Sequence, residues 1–155
     1  TYLSHEIEFI VNHSEAKMII VENDDQFLKL FKVLEKLPSL KFIVSIDKLK
    51  EDNIKKIPSS TQFFSYKDLI SLGSEELQQN PDTFKRAIDD TYPNDIASII
   101  YTSGTTGDPK GAVITHGAFT QMLLNVKQFT HNAFNKSDRN LIFLPLSHVL
   151  GRCDS

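Results

Sequence analysis

A chain of 155 residues has the length of one ordinary domain, and 40% hydrophobic with 24% charged residues is a globular balance rather than a disordered one. The formal net charge of −3 provides no overall basic field for nucleic acid or an acidic membrane, and the single cysteine, Cys153, excludes an internal disulfide framework or a multi-cysteine metal site. No apolar run approaches the roughly 20 residues that span a bilayer, and Thr1–Glu6 reads as a helix entry rather than a leader, so a reducing cytoplasmic setting is the default expectation.

Ser4 is expected to cap a first helix, whose apolar positions Ile7, Ile10 and Val11 recur at three- and four-residue spacing until it fades near Asn12-His13-Ser14. Lys17–Glu22 is a short β-branched strand, followed by the capping cluster Asn23-Asp24-Asp25. A second helix carries Phe27, Leu28, Leu30, Phe31, Leu34 and Leu37 and ends at Pro38, and Phe42–Ile46 is a second strand. This alternation predicts an α/β fold with layered helices and strands and a largely parallel sheet. The basic run Lys48–Lys56 is interrupted by Glu51 and Asp52 and reads as a solvated helix or loop face.

Between Lys48 and Pro93 the pattern weakens, with a short capped helix at Ser65–Ile70, a second helical stretch over Pro81–Asp90 and irregular connections around Pro58, Gly73, Pro81 and Pro93. Beyond Asn94-Asp95, strand Ile96–Thr102 opens into a glycine-rich loop and Ala112–Ile114 returns as a strand. Thr115 can cap a helix from about Ala118 to Thr130, with Phe119, Met122, Leu123, Val126 and Phe129 on one face. Leu141–Leu146 is a further strand ending at Ser147-His148, and Gly151–Ser155 stop without a closing element, which is unusual for a self-contained domain.

The loop carries the chemistry. After Tyr101, the ten residues Thr102-Ser103-Gly104-Thr105-Thr106-Gly107-Asp108-Pro109-Lys110-Gly111 are small, hydroxylated, glycine, proline or charged. Such a loop at a strand end offers backbone N–H groups, hydroxyls and one ammonium, which is the donor set a phosphate takes. The P-loop of NTPases needs glycine before its lysine and Ser or Thr after it, whereas Lys110 lies between Pro109 and Gly111. The dinucleotide fingerprint of three spaced glycines is absent as well. The bland alternative is a linker rich in turn residues. Among the histidines, His148 follows a strand, as the loop does, while the spacing of His5, His13, His116 and His131 makes no metal site.

Tyr101–Gly111 resembles the signature phosphate-binding loop of the adenylate-forming (AMP-binding) enzymes. Val113–Ala118 is similar to the segment that follows it there. Phe143–Arg152 resembles the next motif, in the form seen in long-chain fatty-acid–CoA ligases, although Gly151 stands where those usually carry glutamate. Residues 3–22 look like the helix and strand preceding the loop, so the resemblance spans most of the chain and is thin in the middle.

The resemblance implies a two-step ligase. A carboxylate attacks the α-phosphate of Mg2+-bound ATP to give an acyl-adenylate and pyrophosphate, and coenzyme A then takes the acyl group. It implies a carboxylic acid substrate, here a long-chain fatty acid, with no nucleic acid partner; peripheral membrane association stays open for a full-length protein. By carry-over, Thr102 stands nearest the magnesium and phosphates. Ser103, Gly104, Thr105, Thr106, Gly107 and Lys110 bind the nucleotide, Lys110 offsets leaving-group charge, and His148 lies by the carboxylate and α-phosphate. Residues 1–155 then correspond to part of a large N-terminal domain, truncated at both ends. The adenine-binding motifs and the small C-terminal domain with its catalytic lysine are absent, and the chain alone is expected to be inactive. Two alternatives remain: adenylation with another acceptor, such as a carrier-protein thiol or, as in luciferases, oxygen; and a non-catalytic nucleotide-binding module.

Overall fold

The computed structural model describes residues 2–102 and 109–129. They divide between two compact units, one built from the chain up to Asp90 and one from Thr91–Thr102 together with residues from Lys110 onward.

The first unit is an α/β layer. Helix α1 (Ser4–His13) leads to strand β1 (Met18–Val21), helix α2 (Asp24–Phe31), a 3-10 turn (Leu34–Lys36), strand β2 (Phe42–Ser45), helix α3 (Glu51–Ile54), strand β3 (Gln62–Ser65) and helices α4 (Tyr66–Gln79) and α5 (Thr83–Asp89). The strands form one parallel sheet in the order β1-β2-β3, with Ile19, Ile43 and Phe63 in one cross-strand row and Ile20, Val44 and Phe64 in the next. Successive rows face opposite sides of a sheet. Ile43 and Val44 are both fully buried, so the central strand is covered on both faces, as parallel sheets require.

The core on one side gathers Val11 of α1, Phe27 and Leu30 of α2, the 3-10 residue Leu34, and Leu37, Leu40, Ile43 and Leu49. Leu28 and Phe31 of α2 keep 39% and 37% of their surface exposed, so Phe27 and Leu30 are the positions of this helix that are fully buried. Buried hydroxyls and amides are bonded: the Ser45 hydroxyl, without exposure, donates to the Asp47 carbonyl at 2.7 Å.

Local differences from the sequence reading have physical causes. Ser4 lies inside α1, with Leu3 as its N-cap; the Glu6 carboxylate accepts from the Leu3 N–H at 2.7 Å, and the Ser4 hydroxyl instead donates to the Lys29 carbonyl at 2.9 Å. Helix α2 stops at Phe31, seven residues before the expected end at Pro38, and the remainder tightens into the 3-10 turn that brings Leu34 and Leu37 to the core. The basic run conceals α3: Leu49 and Asn53 are buried within it. Ser65 does cap a helix, but α4 runs through Gly73 to Gln79, and β3 directly precedes it.

The second unit is an antiparallel hairpin of β4 (Ile96–Thr102) and β5 (Lys110–Thr115), followed by helix α6 (His116–Phe129). The Thr115 hydroxyl accepts from the Ala118 N–H at 3.2 Å, the expected cap, although the helix begins at His116. The turn before β4 is tied to the start of α6, because His116 N–H donates to the Asp95 carbonyl at 3.0 Å and Gly117 N–H to the Pro93 carbonyl at 2.8 Å. Position 117 must be glycine for this approach, since a Cβ there would stand 2.9 Å from the Pro93 carbonyl oxygen. Among the described residues, no helix is long and apolar enough to cross a membrane.

Candidate functional site

The β4–β5 register decides what the phosphate-binding candidates can do together. Thr102 pairs with Lys110, Tyr101 with Gly111, Ile100 with Ala112 and Ile99 with Val113. Directly opposed residues of an antiparallel pair project to the same face, with Cβ atoms about 4.5–5.5 Å apart. The Thr102 hydroxyl and the Lys110 side chain therefore rise from one face of the hairpin mouth, one on each side of the connection 103–109.

Both residues are exposed, while Tyr101, Pro109 and Gly111 are half-buried. Lys110 forms no ion pair among the described residues. The opposite face explains Gly111. A Cβ there would stand 3.0 Å from Ile99 Cγ2 and 3.2 Å from Tyr101 Cε1, so the tyrosine ring occupies the space that a side chain would need. Below, the hairpin carries a bulge: the pairing steps from Ile96/Thr115 to Ser98/Ile114 and leaves Ala97 as the extra residue.

Of the residues singled out from the sequence, the structure brings Thr102 and Lys110 together as cross-strand partners. Ser103, Gly104, Thr105, Thr106, Gly107 and His148 lie outside the described residues, as do the expected strand Leu141–Leu146 and Cys153. The pairing is what sequence reasoning missed. Its signal was the run Lys110–Thr115 itself, which extends two residues earlier than the Ala112 start expected from β-branching.

Among the described residues, no group of three or more His, Cys, Asp or Glu side chains gathers into a metal site. Thr102 offers a single neutral oxygen. That suits magnesium, which keeps several waters and is commonly held through substrate phosphates with only one or two protein oxygens. It does not suit a metal caged wholly by protein.

The sequence profile of the AMP-binding enzymes matches residues 1–155. Among curated proteins, the chain is 32% identical over 144 residues to the long-chain-fatty-acid–CoA ligase ACSBG2 of Xenopus laevis, covering 91% of this chain and 18% of the relative. It is 33% identical over 151 residues to long chain acyl-CoA synthetase 6, peroxisomal, of Arabidopsis thaliana, covering 96% of this chain and 20% of the relative. The chain thus spans about a fifth of the length of these curated relatives.

Among solved structures, the A domain of carboxylic acid reductase from Segniliparus rugosus, in complex with AMP and a co-purified carboxylic acid, matches with a TM-score of 0.58 at 17% identity, over 99% of this chain and 25% of that one. The o-succinylbenzoate CoA synthetase of Bacillus subtilis, in complex with its acyl-adenylate intermediate, gives a TM-score of 0.51 at 18% identity, over 99% and 30%. At such identities the likeness is one of fold.

Proposed function

This chain belongs to the AMP-binding enzyme family, and we propose that it supplies the phosphate-binding hairpin of an ATP-dependent ligase that activates a carboxylic acid. The observation that carries this reading is the cross-strand placement of Thr102 and Lys110 on one face, flanking the glycine- and hydroxyl-rich connection. In the proposed first step a carboxylate oxygen attacks the α-phosphorus of ATP. The bond from that phosphorus to the α,β-bridging oxygen breaks, and pyrophosphate leaves with the electron pair. In the second step the thiol of coenzyme A gives up its proton to water and attacks the acyl carbon; the acyl–oxygen bond breaks and AMP leaves with its electron pair.

The first step needs no protein acid or base, only alignment of carboxylate and phosphorus and stabilisation of the charge that grows on the leaving group. Lys110 supplies a positive charge for that purpose, and the Thr102 hydroxyl would hold a phosphate oxygen or a bound magnesium ion. Magnesium, when bound, neutralises part of the phosphate charge. Ser103, Gly104, Thr105, Thr106 and Gly107 complete the donor set, and His148 is assigned to the carboxylate and α-phosphate. A long-chain fatty acid as substrate, coenzyme A as acceptor and a cytoplasmic setting belong to the same proposal. The names of the relatives support the first two, while one relative is named as peroxisomal.

We further propose that these residues are part of a larger N-terminal domain and are inactive alone, given relatives about five times as long. The test is fatty-acid-dependent exchange of labelled pyrophosphate into ATP. A full-length ligase carrying this segment should catalyse it and the 155-residue chain should not. Exchange by the isolated chain would refute the division of labour, and its absence from the full-length protein with every carboxylate offered would refute the activity.

A further inference from the structure

We propose that Tyr101 is a positioning residue for Lys110: its ring, laid across the hairpin onto the bare backbone of Gly111, fixes where the neighbouring ammonium stands. The inference rests on the ligase reading and adds to it a residue from the opposite face of the hairpin. Successive residues of a strand alternate between faces, so Tyr101 and Gly111 share one face while Thr102 and Lys110 share the other.

Gly111 leaves a gap in the ladder. Cross-strand side-chain pairs hold an antiparallel pair together, and glycine contributes no side chain while its backbone is the freest to move. The gap stands one step from the hairpin mouth, directly opposite Tyr101 and immediately after Lys110. Left open, this row would let the last pair, Thr102 with Lys110, fray where the connection 103–109 begins. A lysine on a fraying end samples many positions, and its charge is then spread over them.

The Tyr101 ring fills the gap. Its Cε1 and Cζ lie 3.2 and 3.3 Å from the point where a Gly111 Cβ would stand, and Ile99 Cγ2 lies 3.0 Å from the same point. Ile99 is two residues before Tyr101 and on the same face, so the two side chains close over the glycine together. Tyr101 and Gly111 are half-buried there, whereas Thr102 and Lys110 are exposed. An aromatic ring over a cross-strand glycine replaces the missing side-chain contact and restrains the backbone beneath it. That backbone carries Lys110 as its preceding residue. Stabilisation of a leaving group depends on where the charge stands, and a displacement of about 1 Å can cost up to roughly a hundredfold in rate.

The test uses a full-length ligase carrying this segment and labelled pyrophosphate–ATP exchange at saturating substrates. Tyr101→Thr keeps a strand-forming residue but removes the ring, and it should lower the maximal rate about tenfold. Tyr101→Phe keeps the ring and should stay within about threefold of the parent. The deciding readout is the double variant. A ring that acts through Lys110 makes Tyr101→Thr cost less than about threefold once Lys110 is already alanine, whereas a ring that only stabilises the fold lowers the rate by the same factor in either background. The proposal is overturned if Tyr101→Thr stays within threefold of the parent, if Tyr101→Phe is as slow as Tyr101→Thr, or if the loss is undiminished in the Lys110→Ala background. A Lys110→Ala enzyme as fast as the parent would remove the ligase reading and this inference with it, so the single variants tell the two failures apart.

Discussion

Replacing Lys110 by alanine in a full-length ligase that carries this segment tests the central assignment. Lys110 stands at the hairpin mouth opposite Thr102 and is exposed, without an ion pair among the described residues. Its removal should therefore leave the fold intact, and any loss is a loss of charge at the site. A unit charge about 4 Å from a phosphate oxygen contributes about 4 kcal/mol at an effective dielectric near 20. Solvent at the open end of the hairpin reduces this to roughly 3 kcal/mol, which is about a hundredfold in rate. The assay is labelled pyrophosphate–ATP exchange at saturating ATP and carboxylate. The fall should appear in the maximal rate, because the charge to be offset develops in the transition state. Lys110→Arg keeps the charge and should retain more than a tenth of the activity. A Lys110→Ala enzyme within threefold of the parent, or one altered only in its KM for ATP, would refute the reasoning.

Gly117→Ala places a Cβ 2.9 Å from the Pro93 carbonyl and 3.1 Å from Pro93 Cβ; it should cost about 1–3 kcal/mol and accelerate hydrogen exchange at the His116 and Gly117 amides, whereas unchanged exchange would mean the two segments separate freely. Leu30→Ala empties a fully buried position of the first unit and should destabilise it by about 2–5 kcal/mol in urea denaturation. Asp68 is held below the usual carboxylate range by the Ser65 hydroxyl and then the Ser65 N–H, and Asp24 by the Asn53 amide, with the Lys50 N–H adding to it against some desolvation. Both folded values are depressed, so their stabilisation is complete above the unfolded value near 3.9 and is lost as pH falls through the lower folded values. The urea midpoint should accordingly fall through this acid window, and Asp24→Asn should shrink that fall; an unaltered acid limb would count against the bond. Hydrogen exchange in the 155-residue chain should be slower for β2, buried on both faces, than for β4 and β5, which have no buried residue; equal protection would refute that ranking.

Much of the first unit was legible because its strands are β-branched runs and its second helix starts at an asparagine. Asn23 does cap α2, accepting from the Gln26 N–H at 3.2 Å. The parts that were hidden share a cause: local sequence gave no punctuation. Gln62–Ser65 pairs with β2 and passes directly into α4, with Ser65 serving both as the strand's last residue and as the helix cap, so no turn residues separated them. In the Lys48–Lys56 run, burial of Leu49 and Asn53 is a tertiary effect that charge pattern obscures. Ser4 looked like a cap by type, yet a side-chain-to-backbone bond across to Lys29 outcompeted that role.

The candidate site divides in the same way. Its residue types are local and were readable, but which of them face one another is a matter of register. A one-residue slip in an antiparallel pair would turn one strand's side chains to the opposite face, separating Thr102 from Lys110 while changing no residue. Three features oppose such a slip. The bulge at Ala97 fits one alignment only, the Tyr101 ring lies where only glycine 111 leaves space, and the bonds from His116 and Gly117 to Asp95 and Pro93 fix the far end of the hairpin. Two of these rest on glycines whose value is the absence of a side chain. The register that sets Thr102 opposite Lys110 is therefore maintained by the hairpin's own backbone and its far end, so substitutions at Gly111 or Gly117 should impair phosphate binding while every donor remains in the sequence.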